Sequence, residues 1–407
     1  MRSGFREGAI NRFFLRNFRR TDALFRAFRR LPRALRDRLV DRHVQRVRTA
    51  APGGPDRLTI FLTNQCNMKC AHCFIVKEVQ PKLELMSLDD YRRLFRSVRG
   101  RVAQVLLTGG EPTLRDDFVD IVLAASREGR IPTVSVFSNG LRPDALVTQL
   151  AAVLDGSDVR INVQTSIDGL ASFHDVNRRV PGAYRRAVEA IAKVAALGAR
   201  YPGRLGRVVT ATAISRQNLG ELEAICDAVT TTGASPAFSF VRTSADVFGL
   251  ADPALKSDFA PEATKADGST KFGGDDYLDV TEMDAALAVL ARKVWRDDPG
   301  RLQFNYNRVT MEAVRDLKAT GASPLSAECG MGYDDLVILA DGTVSRCEML
   351  ATAVALRDYD FHLPRLLAGE PWRRYLGATA GCWCTHDCGI GVSMMKEPAL
   401  LKRLTPR

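Results

Sequence analysis

The chain reads Leu58-Thr59-Ile60-Phe61-Leu62 and, three residues later, Cys66-Asn67-Met68-Lys69-Cys70-Ala71-His72-Cys73. A short apolar run of this kind, rich in β-branched and aromatic residues, is a buried strand. A C-x3-C-x2-C loop hangs from its end. Three thiolates can hold three irons of a cubic four-iron cluster and leave the fourth iron open to a ligand that is not protein. That open corner separates a cluster that acts on a bound molecule from one that only carries electrons. A structural zinc site wants four ligands. No fourth lies close in sequence, and His72 sits between two of the cysteines with awkward geometry.

Working outward, strand-like runs at 58–63, 104–108, 133–137, 159–167, 207–214 and 237–241 alternate with helical runs at 87–98, 115–128, 182–197 and 218–230. Ser87 has the place and chemistry of an N-cap. Such alternation means a parallel sheet or barrel, where chemistry gathers at the carboxyl ends of the strands. The first strand ends in the cysteine loop and the second in Gly109-Gly110-Glu111-Pro112. The third ends in Ser138-Asn139-Gly140 and the fourth in Ser166-Ile167-Asp168-Gly169. Four polar or glycine-rich punctuations at the same end of four successive strands exceed what turns require.

With those residues in view, the chain resembles the radical S-adenosylmethionine (SAM) enzymes. Cys66, Cys70 and Cys73 match the cluster loop, and Gly109-Gly110-Glu111-Pro112 matches the second motif. Ser166-Ile167-Asp168-Gly169, His174-Asp175 and Pro181-Gly182-Ala183-Tyr184 resemble the subfamily with SPASM or twitch C-terminal domains. The resemblance covers about residues 56–392. It implies an α/β fold: a partial (β/α)6 TIM-like barrel followed by a small cysteine-rich twitch/SPASM-like domain. It further implies that the open iron chelates the amino and carboxylate groups of SAM. Glu111 and the Gly109–Gly110 backbone would receive the SAM amino group, and His72 would lie beside the adenine. Ser138, Ser166 and Asp168 would hold the ribose and carboxylate, with 209–213 and 238–240 on the adenine side. One electron, from a reductant such as flavodoxin or ferredoxin, would release a 5′-deoxyadenosyl radical. Cluster potentials as low as about −700 mV make that reduction accessible. His174-Asp175 reads as a loop feature rather than as catalytic, and no residue is assigned as the catalytic hydrogen donor.

A second cysteine group follows. Cys329, Gly342 and Cys347 form C-x12-G-x4-C, with Asp341-Gly342 as a tight turn between strand-like runs at 336–339 and 343–346. Cys382, Cys384 and Cys388 come later, spaced C-x-C-x3-C. The resemblance implies one auxiliary [4Fe-4S] cluster, for which five cysteines leave one to spare. Cys329, Cys347 and Cys388 match the family pattern best, and the choice between Cys382 and Cys384 stays open. A four-cysteine zinc knuckle is the competing reading here. The ninth cysteine, Cys226, shares a helical face with Leu222 and Val229 and reads as a core thiol.

The formal charge of +11 is unevenly placed. Residues 1–50 hold 15 Arg, no Lys and four acids, which accounts for all of it. The segment reads as two basic amphipathic helices, one with Phe14, Phe18, Phe25 and Phe28, the other with Leu35, Leu39 and Val44. An anionic membrane surface is one expected partner for it, packing on the body is the other, and nucleic acid ranks last. No membrane span or secretory signal is legible, which with clustered rather than scattered cysteines points to the cytoplasm. Expected segments are a basic arm and linker (1–55), the barrel (56–245), an irregular loop or lid with linking helices (246–324) and the auxiliary-cluster region (325–407). No winged-helix leader-binding domain is legible in 1–55, which tilts the expected substrate towards a small molecule, sugar or lipid-linked compound. A peptide maturase is the alternative. A non-enzymatic iron–sulfur electron carrier or sensor is the alternative from another class.

Overall fold

The computed structural model describes residues 25–49, 54–73, 84–242, 247–257, 276–295, 302–351 and 354–404. Phe14 and Phe18, and residues 258–275 and 296–301 of the expected loop and linking segment, lie outside the described residues. Six parallel strands form the body: β1 (Arg57–Thr63), β2 (Gln104–Gly109), β3 (Thr133–Ser138), β4 (Arg160–Ser166), β5 (Leu205–Ile214) and β6 (Ser235–Phe240). Each pairs with its neighbour in chain order. The helices Leu88–Ser97, Phe118–Arg127, Pro143–Gly156, Ala183–Arg200 and Leu222–Thr231 make the crossovers. Ser87 is the expected N-cap: its hydroxyl accepts from the Asp90 N–H at 3.2 Å while Asp90 accepts from the Ser87 N–H at 2.9 Å.

Strand alternation separates two faces. Val105, Leu107, Val134, Val136, Ile161 and Val163 pack on Ile121, Leu146, Leu150 and Val153 in the largest core. Gln104, Ser135 and Asn162 point the other way, into the concave side. There the Gln104 and Asn162 amides donate to the Ser135 hydroxyl at 2.8 and 3.1 Å. Cys226 is fully buried in the second core, as expected.

Two short strands follow the barrel: β7 (Val247–Phe248) and, after the long helix Leu302–Thr320, β8 (Asp335–Ile338). The expected hairpin around Gly342 joins β8 to β9 (Thr343–Ser345), with Gly342 at φ +85° in the turn. The fold adds something the pattern does not show. β8 runs parallel to β1, from Arg57 opposite Asp335 to Ile60 opposite Ile338. The cysteine-rich region thereby extends the barrel sheet through β9 to β10 (Val354–Ala355), while β11 (Trp383–Cys384) pairs with β7.

Within the arm, the helix Arg33–Thr49 docks on the C-terminal helices. Arg48 Nε donates to the Lys396 carbonyl at 2.8 Å and Nη2 reaches Glu397 at 3.2 Å; Lys402 pairs with Asp41 at 2.7 Å. Of the expected apolar face Val44 is buried, together with Val40, whereas Leu35 and Leu39 are exposed, which corrects that part of it. The inward stripe includes the aliphatic stem of Arg36, which is 9% exposed. Among the described residues no helix is long and apolar enough to cross a membrane.

Candidate active site

The cysteine loop is laid onto the second motif by the backbone. The Gly110 N–H donates to the Thr63 carbonyl and the Glu111 N–H to the Gln65 carbonyl, both at 2.8 Å. A Cβ on Gly110 would stand 1.9 Å from the Gln65 oxygen. One on Gly109, at φ +126°, would stand 2.3 Å from the Thr63 oxygen. Both glycines are therefore required by the close approach of the chain that enters Cys66.

Glu111 is 2% exposed at the strand end. Its Oε1 accepts from the Thr113 N–H at 3.2 Å and the Thr113 hydroxyl at 2.5 Å, and its Oε2 accepts from the Asn139 N–H at 2.7 Å. Burial pushes this carboxyl above its ordinary value, against those bonds and one from Ser138. Asn139 ties the motifs together, since its side-chain amide donates to Asn67 at 2.7 Å and lies 3.8 Å from Cys66 Sγ. Sequence reasoning passed over Asn139 and assigned its neighbour Ser138, whose hydroxyl accepts from the Gly140 N–H at 3.2 Å.

Opposite stands the helix Ala171–Arg178. The Asn177 carbonyl accepts from the Ala71 N–H at 2.8 Å, fastening the helix end to the cysteine loop. Asp168, 2% exposed, takes Arg178 on one oxygen, with Nη2 at 2.6 Å and Nε at 2.7 Å. Arg178 Nη1 lies 3.5 Å from Cys70 Sγ. Burial alone would raise Asp168, but Arg178, His72 and His174 hold it at about 2. His72 Nε2 is 3.7 Å from Asp168, and burial lowers its own value. Neither Arg178 nor Asn177 was singled out from sequence; their signal was position, close behind His174-Asp175. That pair, expected as a loop feature, lies instead on this helix. His174 Nδ1 accepts from the Asp168 N–H at 3.1 Å, and Asp175 accepts from the Gly182 and Tyr184 N–H groups at 2.6 and 2.8 Å. Ser166 ends β4, half-buried, two residues from Asp168. Phe238 and Phe240 instead face the helices and pack in the second core, which removes them from the adenine side.

In the second cysteine group, Cys329, Cys347, Cys382 and Cys384 line one enclosed cavity with Met331, Met349 and His386. Arg346, fully buried, holds its walls together. It donates to the carbonyls of Met331 (2.7 Å), Thr379 (2.9 Å) and Cys329 (3.0 Å). Burial pushes the Cys347, Cys382 and Cys384 thiols upward, helped by neighbouring cysteines and, at Cys347 and Cys382, by Glu348 and Glu328. Such a set becomes comfortable only around a cation, which fits a metal or iron–sulfur group. His386 Nδ1 is 3.2 Å from Cys347 Sγ, and its Nε2 is 3.0 Å from Glu348. Burial opposes ionisation of Glu348, yet His386 and Arg242 hold it at about 2.

Cys388 does not join the four. It is exposed, with Asp387, Glu348, Arg242 and Arg57 as its charged surroundings. Its sulfur lies within 4.8 Å of donor atoms of His386 and Asp387. The resemblance groups Cys329, Cys347 and Cys388 and leaves Cys382 and Cys384 as alternatives; the cavity instead brings Cys329 and Cys347 together with both Cys382 and Cys384. Residue 388 lies in the first turn of the helix Asp387–Ser393 and is not among the residues that line the cavity. The two cysteine sites share a wall, because Phe61 and Cys73 belong to the same apolar cluster as Cys347, Cys329, Cys382 and Cys384.

Residues 60–229 match the family model of the radical SAM superfamily. The chain is 30% identical over 181 residues to the sporulation killing factor maturation protein SkfB of Bacillus subtilis, covering 44% of this chain and 41% of that protein. It is 31% identical over 179 residues to pre-heme d1 synthase of Dinoroseobacter shibae, covering 44% and 42%. The matched region is thus under half the length of these curated relatives. In fold, the chain is similar to SuiB of Streptococcus suis bound to S-adenosylmethionine (TM-score 0.52, 14% identity, 80% of this chain and 67% of that one). It is also similar to anSMEcpe bound to AdoMet and a peptide (TM-score 0.52, 15% identity, 79% and 82%). With the cysteine loop, the Gly-Gly-Glu-Pro motif and the six-stranded parallel body in agreement, residues 60–229 form a radical SAM domain.

Proposed function

We propose that Cys66, Cys70 and Cys73 hold a SAM-binding [4Fe-4S] cluster and that the protein abstracts hydrogen from a small molecule, sugar or lipid-linked substrate. The bound cluster and SAM would supply one-electron cleavage of the sulfonium and a 5′-deoxyadenosyl radical. The chain's own part is to hold and shield. Glu111 offers a desolvated carboxylate beside the cysteine loop, and Asn139 couples it to Cys66. Gly109 and Gly110 let the loop seat on β2. His72, Ser138, Ser166 and Asp168 surround the same strand ends and are the residues we assign to the nucleotide side. The observation that carries this reading is the Glu111–Asn139–Cys66 linkage, at 2.7 and 3.8 Å. An electron carrier has no use for a buried acceptor carboxylate at its cluster loop.

A second cluster is assigned to Cys329, Cys347, Cys382 and Cys384, which line a single cavity. Metal analysis of the purified protein separates iron from zinc there. The peptide alternative draws its support from SkfB, whose name is that of a maturation protein.

Anaerobic incubation with dithionite and SAM tests the central claim: the parent protein should form 5′-deoxyadenosine and Cys70→Ala none. Full turnover by Cys70→Ala would overturn the site assignment. Transfer of deuterium from labelled candidates into 5′-deoxyadenosine then separates small-molecule from peptide substrates.

A further inference from the structure

The guanidinium of Arg178 is a three-way junction. Nε and Nη2 are spent on one Asp168 oxygen at 2.7 and 2.6 Å, a side-on ion pair that fixes the plane of the group. Nη1 is left facing Cys70 Sγ at 3.5 Å. Both residues are buried, Arg178 at 9% and Asp168 at 2% exposure, and the Asn177 amide donates to the same carboxylate oxygen at 3.2 Å. The Asn177 carbonyl holds Ala71, the residue next to Cys70, at 2.8 Å. Cysteine, cation and carboxylate therefore form one rigid unit whose positive end meets the sulfur.

We propose that Arg178 is a positioning residue that sets the reduction potential of the cluster on Cys66, Cys70 and Cys73, with Asp168 holding the guanidinium in place. This inference rests on the reading of that loop as the cluster site. Adding an electron to an iron–sulfur cluster adds negative charge, and cluster potentials follow hydrogen bonds to the sulfurs and the local net charge. A cation donating to a ligand sulfur favours the reduced form, and it does so strongly where water is excluded. Asp168 lies behind the guanidinium, so its charge weakens the effect without reversing it. Asp168 thereby acts on the cluster through Arg178, in addition to any contact with nucleotide.

The test is a redox titration of the anaerobically loaded holoenzyme without SAM, followed by electron paramagnetic resonance of the reduced cluster. Arg178→Gln should shift the midpoint to more negative potential, by about tenfold in the reduced-to-oxidised ratio, ~59 mV for one electron. Arg178→Lys keeps the charge but loses the fork and should fall between parent and Gln. Asp168→Asn should shift the midpoint the other way. A purely structural role would change iron loading and leave the midpoint of the loaded fraction alone. An Arg178→Gln midpoint equal to or above the parent's overturns the proposal. If that variant takes up no iron, a parent-like midpoint for Arg178→Lys overturns it. A parent protein that loads no cluster on Cys66, Cys70 and Cys73 removes the underlying site reading instead.

Discussion

Arg57 opens β1 and Asp335 opens β8, and their side chains meet at 2.6 Å although 278 residues separate them in sequence. The Thr59 hydroxyl donates to the same carboxylate at 3.2 Å. The pair sits at the first rung of the parallel ladder that welds the cysteine-rich region to the barrel. A one-residue slip would turn Asp335 towards the apolar face, so the ion pair and the pleat specify one register together.

Asp335→Ala should therefore destabilise the fold by about 1–3 kcal/mol, the usual cost of removing a hydrogen-bonded charge from a partly buried pair. Urea unfolding measures it. Replacing both partners, Arg57→Met with Asp335→Leu, should recover most of the loss. A single variant that unfolds at the parent midpoint would contradict the register argument.

Gly110→Ala should cost the first cluster rather than the fold. The new Cβ meets the Gln65 carbonyl at 1.9 Å, and the cheapest relief is to displace the loop that enters Cys66. Iron per chain should drop by the content of one cluster while the circular dichroism stays that of the parent.

The five C-terminal cysteines should divide four to one. Cys384→Ser should lose the second metal centre, and Cys388→Ser should retain it. Iron and zinc analysis with electron paramagnetic resonance reads both. Loss of metal from Cys388→Ser would return that residue to the ligand set.

Asp168 gives an acid limb with a defined sign. Its folded-state value of about 2 lies below the ordinary 3.8, so the folded chain binds fewer protons than the unfolded chain between those values. The stability it contributes is complete above about pH 4 and is lost as pH falls through 2. The shift corresponds to about 2 kcal/mol. Unfolding of the metal-free chain between pH 2 and 5 should show this limb, and Asp168→Asn should flatten it.

Much of the site was legible because its signals are local. Cys66, Cys70 and Cys73 need only a loop, Gly109 and Gly110 need only a tight approach, and each strand end announced itself by composition. All six barrel strands lie within two residues of their expected bounds. Arg178 and Asn139 were not legible in this way. An arginine near a helix end and an asparagine in a turn are ordinary residues until a distant sulfur is brought beside them. Phe238 and Phe240 were misplaced for the complementary reason: strand alternation says that two faces exist but not which one carries the chemistry.

From its sequence alone this chain determined a parallel α/β barrel, a three-thiol loop at its first strand end and a separate group of five cysteines, because periodicity and spacing act over a few residues. Only the tertiary structure decided that β8 would lie against β1, that Cys329, Cys347, Cys382 and Cys384 would line one cavity, and that Arg178 would meet Cys70. Those outcomes depend on which buried charges and thiols share a dry space, and burial is a property of the whole packed chain.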